Sequence, residues 1–431
     1  MRISMKTYLV APVLLLALGF RAEAQAQAPP TSTPPTFGFS LPSVEGTMTY
    51  SLSASESFLT GYNNGVNEST ALSGSLGYLS SSPNKPFSLV YSGGYLYSSV
   101  PGYPANSTFQ NLAASQVWTT KNWNFVVDDA VSYLPESPTT GLSGIPGVGD
   151  IGVDPVQIGD QPSQSILTNY AARVGNGLNG GVTRKVNKSW SINGSGSWQI
   201  LHFLDNEGVN SSMVMGSVGP TYRIDARSSA SANVVYSYTN DTYLGQSYPF
   251  ESEGVTLEYQ RQLTRFFSMN VAAGPQRTFG SGSTSGLIPS NITVVANAGL
   301  TYSRRTTTAS VFFSRATNAG SGVVLGALTN AIGGTVREQF SRNWQGALTA
   351  SYAQSTSLAV IGGYAQDYHS TYAGAQVSRR LSRSFSAYLS YTAVNQNNVD
   401  VVIVQPAFSG LSQTFTVGVT YSPGAQHFGH F

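Results

Sequence analysis

The feature that most constrains this chain is an alternation of period two that starts near Thr47 and recurs to residue 422. In the stretch QTFTVGVTY at residues 413–421, Phe, Val and Tyr occupy one set of alternate positions, and Thr and Gly occupy the other. Stretches within 86–99, 343–355 and 384–396 repeat this pattern. Because successive side chains of a strand point to opposite faces, each stretch predicts a β-strand with one apolar face and one face of small polar groups.

The polar face indicates where such strands lie, because it carries almost no charge. Charged residues make up 10% of the chain, against about 25% in an average soluble domain. A soluble sandwich would expose charged side chains, whereas Ser, Thr, Asn, Gln and Gly are suited to a wet interior. An apolar outside and a neutral polar inside are typical of a transmembrane barrel, which leaves no unpaired sheet edge in lipid.

Counting the alternating segments predicts an all-β fold, a transmembrane antiparallel up-and-down barrel of 18 strands within a range of 16–20. Short periplasmic turns and long outer loops are expected to join them. The predicted strands are 47–60, 69–80, 86–99, 107–119, 122–135, 166–184, 188–203, 211–223, 228–240, 251–263, 266–278, 292–304, 307–317, 329–339, 343–355, 369–381, 384–396 and 411–422.

The first residues predict a secretory signal peptide over 1–24. Two basic residues precede a short apolar run, and a small-x-small cleavage pattern ends at Ala24. Residues 25–46, rich in Pro and Thr, predict a periplasmic linker. The barrel is then expected over 47–422 and a C-terminal tail over 423–431. No later apolar stretch reaches the length of a spanning helix.

A repeated turn orients the predicted barrel. Five turns read basic–x–aromatic, and their aromatic residues predict one girdle at the periplasmic membrane interface: Trp123, Trp190, Phe267, Trp344 and Phe385. Short turns mark the periplasmic side of a barrel, so both termini are expected in the periplasm. Acidic residues are expected in the opposite loops, among them Asp241, Glu251 and Glu253.

These features resemble the porin-like barrels of the Gram-negative outer membrane, in particular a poorly characterised porin family. The resemblance spans residues 47–431 and rests on the strand count, the turn pattern and the terminal Phe431. It implies a location in the cell outer membrane, with outer-membrane lipid, lipopolysaccharide and the barrel-assembly machinery as partners. It also implies an aromatic assembly signal at the chain end, either Tyr421 or Phe431.

The longest predicted loop, 136–165, is a candidate constriction. In classical porins the third outer loop folds into the lumen, so the resemblance implies the same for this one. Asp150, Asp154 and Asp160 would form its acidic side, with Arg173 as a basic partner on the lumen face. A transverse field between such groups selects solutes by charge and size. The alternative is an outer flap that never enters the pore.

The sequence favours a channel for passive diffusion of small hydrophilic solutes with weak charge selectivity. The alternatives are a substrate-specific export or uptake barrel, for example for a saccharide or exopolysaccharide, and a structural or adhesive barrel without conductance. A homo-oligomer is compatible with all three. No cofactor is expected, and a net charge of +2 argues against nucleic-acid binding.

Enzyme activity is not expected, because no nucleophile, base and orienting group are apparent together. Asp367 and His369 in an outer loop resemble only part of such a site, and the tail residues His427 and His430 lack the carboxylate that a metal site would need. Consecutive acids at Asp128 and Asp129 would place one carboxylate in lipid, so a β-bulge turning both inward is expected there.

Overall fold

The computed structural model describes residues 46–61, 65–82, 84–99, 105–134, 172–204, 208–360, 365–399 and 409–428. The predicted signal peptide, the predicted linker up to residue 45, the whole of loop 136–165, and Phe431 lie outside these residues. Within the described ranges, no helix is long and apolar enough to cross a membrane.

Eighteen antiparallel strands form one closed sheet in which each strand pairs with the next and β1 pairs with β18. This confirms the predicted all-β up-and-down barrel. The strands are Gly46–Thr60 (β1), Val66–Ser80 (β2), Phe87–Ser98 (β3), Asn106–Thr119 (β4), Trp123–Leu134 (β5), Arg173–Lys185 (β6), Trp190–Phe203 (β7), Asn210–Arg223 (β8), Ser228–Tyr243 (β9), Gln246–Gln262 (β10), Phe267–Gly280 (β11), Asn291–Ser303 (β12), Thr307–Asn318 (β13), Ala327–Glu338 (β14), Trp344–Ser357 (β15), Asp367–Arg380 (β16), Phe385–Val399 (β17) and Gly410–Tyr421 (β18).

Backbone pairing at the seam closes the barrel. Leu52 of β1 lies opposite Tyr421 of β18, and the pairing runs on to Thr60 opposite Gln413. A short strand in the C-terminal tail, Gln426–Phe428 (β19), pairs with residues 46–48 of β1 beyond the end of β18. We call the end at which β18 ends the proximal end, and the opposite end the distal end.

The two faces of the wall have opposite chemistry. Outward-facing side chains such as Val234, Leu257 and Ile292 are 59%, 64% and 71% exposed. On the inner face, hydroxyl groups bond across neighbouring strands; Ser51 Oγ lies 2.7 Å from Ser75 Oγ, and Ser252 Oγ lies 3.0 Å from Thr278 Oγ1. An apolar exterior around a polar interior is the arrangement of a porin-like transmembrane barrel.

Five proximal turns share a hydrogen bond that the basic–x–aromatic pattern did not include. A Ser, Thr or Asn three residues before the aromatic residue accepts the aromatic residue's backbone N–H through its side-chain oxygen. The bonds are Trp123 N to Thr120 Oγ1 at 3.1 Å, Trp190 N to Asn187 Oδ1 at 2.8 Å, Phe267 N to Thr264 Oγ1 at 3.2 Å, Trp344 N to Ser341 Oγ at 3.3 Å and Phe385 N to Ser382 Oγ at 3.1 Å. Such side chains replace a backbone partner and tighten the turn.

The five aromatic residues of the predicted girdle each begin a strand at the proximal end, and all five are exposed. Three of them lie against an aromatic ring of the neighbouring strand, with centroids 4.9 Å apart for Trp190 and Tyr222. Arg184 lies 5.2 Å from the ring centroid of Trp123. Rings at this level have the apolar body and polar edge that suit a membrane interface.

The distal end differs from the prediction between β9 and β10. These strands extend to a turn of two residues, Leu244 and Gly245, with φ of 48° and 75°. Two positive φ values are characteristic of the type I′ hairpin turn, whose twist matches the strands it joins. The acids expected in a loop here lie in strands instead, Asp241 in β9 and Glu251 and Glu253 in β10.

The prediction of a β-bulge at Asp128 and Asp129 is wrong. Strand β5 pairs without interruption on both sides, so Asp128 lies opposite Asn179, and Asp129 lies opposite Leu178. Regular alternation places Asp128 on the lumen face and Asp129 on the outer face.

Candidate functional site: lumen wall and distal loops

The lumen wall of the described strands is nearly neutral between its two ends. Its inward-facing charged residues are Asp128 and Glu258 within the wall, Arg173 and Asp241 towards the distal end, and Lys185, Arg223, Arg337 and Arg380 at the proximal end. The rest of the face is built mainly from Ser, Thr, Asn, Gln and Gly. Such a wall presents hydrogen-bonding groups to a passing solute and little fixed charge.

Arg173 is the described member of the predicted constriction. It begins β6, lies opposite the inward-facing Phe203 of β7, and is 7% exposed. Its position agrees with the predicted lumen face. Asp150, Asp154 and Asp160 lie outside the described residues, so the constriction they would form with Arg173 stays a prediction.

The distal mouth contains a group of packed loops that the sequence reasoning missed. We call residues 281–290, 319–326 and 358–360, together with Val209, the distal loop cluster. Backbone bonds join its parts: Val209 N donates to Gly322 O at 2.9 Å, and Leu358 N donates to Gly326 O at 3.0 Å. Val360 N donates to Leu287 O at 2.9 Å.

The interior of the distal loop cluster is apolar. One group of buried side chains is Val209, Phe250, Ile288, Leu325 and Ala359, and a second is Val323, Val324, Ala327 and Tyr368. All of them are at most 6% exposed. Loops that merely faced water would leave such side chains exposed, so burial of this surface is what stabilises the cluster.

The loop 319–326 reaches from β13 and β14 to the wall formed by β7–β10. Gly322 has φ +81°, and a Cβ built on it would lie 2.2 Å from two ring carbons of Phe203. Only glycine combines a left-handed backbone with this close approach. Because Phe203 and Phe250 are inward-facing wall residues in contact with this loop, the loop crosses the distal mouth and narrows it.

A buried carboxylate supports the same crossing. Asp241 Oδ2 accepts the backbone N–H of Gly326 at 2.9 Å, and the Asp241 side chain is fully buried. The last aromatic on the outer face of β9 is Tyr238, and polar residues follow it, so Asp241 lies distal to the apolar band. Burial raises the pKa of Asp241 well above its usual value, and the Gly326 bond opposes the rise.

A sequence signal for the distal loop cluster does exist. The loop AGSGVVLG at residues 319–326 contains three consecutive large apolar residues between glycines. A connection exposed to water would not need them. One of the residues they pack with, Phe250, lies more than 70 residues earlier in the sequence. The pattern alone therefore does not indicate what these apolar residues pack against.

The remaining candidates do not assemble into a site. Asp367 and His369 lie in β16 rather than in a loop, and they bond to different partners, Thr356 Oγ1 at 2.5 Å and Tyr352 OH at 2.8 Å. Phe312 and Tyr388 face inward, as alternation predicts. Within the described ranges, no three His, Asp or Glu residues group as metal ligands would.

No protein-family model matches the chain, and no curated protein matches it either. Solved structures of similar shape include Pseudomonas aeruginosa OccK2 (OpdF), at 11% identity and a TM-score of 0.41, covering 87% of this chain and 98% of that one. That protein is also known in complex with glucuronate. Acinetobacter baumannii OccAB3 has 10% identity and a TM-score of 0.41, with 88% and 99% covered. Similarity at this level concerns the fold alone.

Proposed function

We propose that the chain is an outer-membrane channel through which small hydrophilic solutes diffuse passively, with weak charge selectivity. The observation that carries the proposal is the closed wall of 18 strands with a neutral, hydroxyl- and amide-rich inner face. Barrels of 16–18 strands enclose an aqueous channel. A wall with few charges favours neither anions nor cations strongly.

The proposed setting is the cell outer membrane, with both termini in the periplasm. The aromatic residues at the proximal end support this orientation, since they would lie at the inner headgroup level with their basic neighbours. Outer-membrane lipid and lipopolysaccharide would surround the apolar band. The barrel-assembly machinery would read the last strand, which ends at Tyr421.

The distal loop cluster favours a second candidate, a substrate-specific uptake or export barrel. A loop that crosses the mouth restricts passage to solutes that fit beside it or displace it. Inward-facing Phe312, Tyr372 and Tyr388 on β13, β16 and β17 add aromatic surface to the wall. Such surface suits the apolar faces of sugar rings, which makes a saccharide the favoured class in this case.

Planar-bilayer recording of the purified full chain tests the proposal. A general diffusion channel is expected to conduct KCl with a reversal potential near zero in a salt gradient, and its liposomes are expected to swell in several neutral sugars alike. Swelling with one sugar class alone would replace the first candidate by the second. Absence of both conductance and swelling would overturn both and favour a structural barrel.

A further inference from the structure

Asp129 is an acidic side chain near the middle of the apolar band on the outside of the barrel. Asp129 points outward from β5 between Val127 and Val131, which are exposed on the same face. Its Oδ1 accepts a hydrogen bond from Asn176 Nδ2 at 2.8 Å. Asn176 is neutral, so the contact leaves the acid without a cation.

One basic side chain lies in the same band on another part of the exterior. Arg315 points outward from β13, two residues beyond the exposed Phe313. Its Nε donates to Val294 O at 3.0 Å, and its Nη1 donates to Asn330 Oδ1 at 2.9 Å. Both acceptors are neutral, so among the described residues no acid compensates the charge.

The two groups lie at the same depth. Asp129 is six residues above the girdle residue Trp123. Arg315 is six residues above Ala309, which lies opposite Tyr302, and the Tyr302 ring lies against the girdle residue Phe267. At about 2.5 Å of height per residue of a tilted strand, both lie about 15 Å above the proximal interface of an apolar band about 25 Å tall. A charged side chain on the lipid face is least favourable near the middle of such a band.

The other charges of the exterior are placed differently. Arg277 contacts Glu253, with Nη1 3.4 Å from Oε1, and this pair lies towards the distal end. Glu56 also bonds to a neutral group, Thr70 Oγ1 at 2.7 Å. It lies four residues from Leu52, which is opposite Tyr421, and so about 5 Å closer to the proximal end than Asp129. Asp129 and Arg315 are therefore the acid and base without a charged partner that match in depth.

Asp129 and Arg315 of one molecule cannot meet, because β5 and β13 are eight strands apart by the shorter path around a wall that is on the order of 35 Å across. We propose that Asp129 pairs with Arg315 of a second copy of this chain, so that barrels associate side by side in the membrane. Pairing across copies would remove both uncompensated charges from lipid at once.

The positions of the two groups set the form of the assembly. Eight of 18 strands correspond to about 160° around the wall, so the acid and the base lie on nearly opposite sides. An interface that joins two different patches makes a ring only when the rotation closes. With patches nearly opposite, successive copies continue in a row, so the expected product is an open array and not a dimer or trimer.

Cysteine cross-linking tests the row directly, because the chain contains no native Cys. Val127 and Phe313 lie two residues proximal to Asp129 and Arg315, on the outer face and at matching depth. The variant carrying Val127→Cys and Phe313→Cys keeps both charges. Oxidised in isolated outer membranes and run without reductant, it is expected to give a ladder of dimer, trimer and larger species.

Controls distinguish charge pairing from crowding. Val234→Cys with Val417→Cys places two outward cysteines on β9 and β18 and is expected to give no ladder. Adding Asp129→Asn to the Val127/Phe313 pair is expected to reduce the ladder at least tenfold, and exchanging the charges, Asp129→Arg with Arg315→Asp, is expected to restore it. A ladder that persists in the Asp129→Asn variant, or dimers from Val127→Cys alone, would overturn the proposal.

Discussion

The most informative perturbation of the distal mouth is Gly322→Ala. Gly322 holds the loop 319–326 against Phe203 with a backbone φ of +81°. An alanine in this conformation costs about 1–2 kcal/mol. Its Cβ, which would lie 2.2 Å from the Phe203 ring, adds an overpacking cost of about 1–3 kcal/mol. The sum is about 2–5 kcal/mol, and its centre of about 3.5 kcal/mol moves the equilibrium between packed and displaced loop by roughly 300-fold, at about 1.4 kcal/mol per factor of ten.

The assay is single-channel conductance in planar bilayers. If the packed loop narrows the mouth, Gly322→Ala is expected to raise the unitary conductance or the open probability above that of the wild type. Gly282→Ala is the matched control. That glycine also has a positive φ, +58°, but an added Cβ would meet nothing within 4 Å, so it carries the backbone cost without the contact.

A second variant separates the ring contact from the backbone. Phe203→Ala removes the ring that the Cβ added by Gly322→Ala would strike. In the Phe203→Ala background, Gly322→Ala is therefore expected to change conductance less than it does alone. A Gly322→Ala variant that folds into a heat-modifiable barrel and conducts like the wild type would show that the packed loop does not narrow the mouth. An equal effect of Gly282→Ala would show that the contact with Phe203 is not the cause.

Because burial raises the pKa of Asp241, packing of the distal loop cluster is fully favourable below the ordinary Asp pKa and weakens as the pH rises through the raised value. Open probability should therefore rise with pH, and Asp241→Asn should remove this dependence; an unchanged profile in the variant refutes it. Leu257→Arg on the outer face should lower the free energy of unfolding in vesicles by about 2–4 kcal/mol. The neighbouring inward variant Thr256→Arg should fold and should shift the reversal potential towards that of an anion-selective channel. Equal losses of unfolding free energy in the two variants would contradict the assigned faces. In denaturant titrations, Asn187→Ala should lower the stability of the barrel by about 1 kcal/mol, because the turn loses the hydrogen bonds that Asn187 Oδ1 accepts. Asn187→Asp keeps an acceptor oxygen and should be as stable as the wild type. Equal stability of the two variants would argue against a role for these turn hydrogen bonds.

The strands were predictable because their signal is local. The segment 411–422 was predicted as a strand from its alternation, and β18 spans Gly410–Tyr421. The pleat repeats every two residues, so a face can be read from the residues of a single strand. The inward positions of Phe203, Phe312 and Tyr388 follow from the same rule.

Turn chemistry was predictable only in part. The basic and aromatic residues of the proximal turns are obvious as a repeat, whereas the Ser, Thr or Asn before them is common enough to pass unnoticed. Their role appears once Asn187 Oδ1 is seen to accept from both Ser189 N and Trp190 N at 2.8 Å. At the distal end, polar residues around Asp241 and Glu251 suggested a loop, but cross-strand pairing extends β9 and β10 through them.

By itself, the sequence determined that this chain forms two-faced strands, that one face is apolar and the other is neutral and polar, and that the strands close into a barrel of about 18. Those properties depend on neighbours within a few residues. Only the tertiary structure decided that loop 319–326 crosses the mouth to Phe203 and Asp241, and that Asp129 and Arg315 lie at one depth on opposite sides. These relations depend on register and closure, which backbone hydrogen bonds between strands set and which no single segment contains.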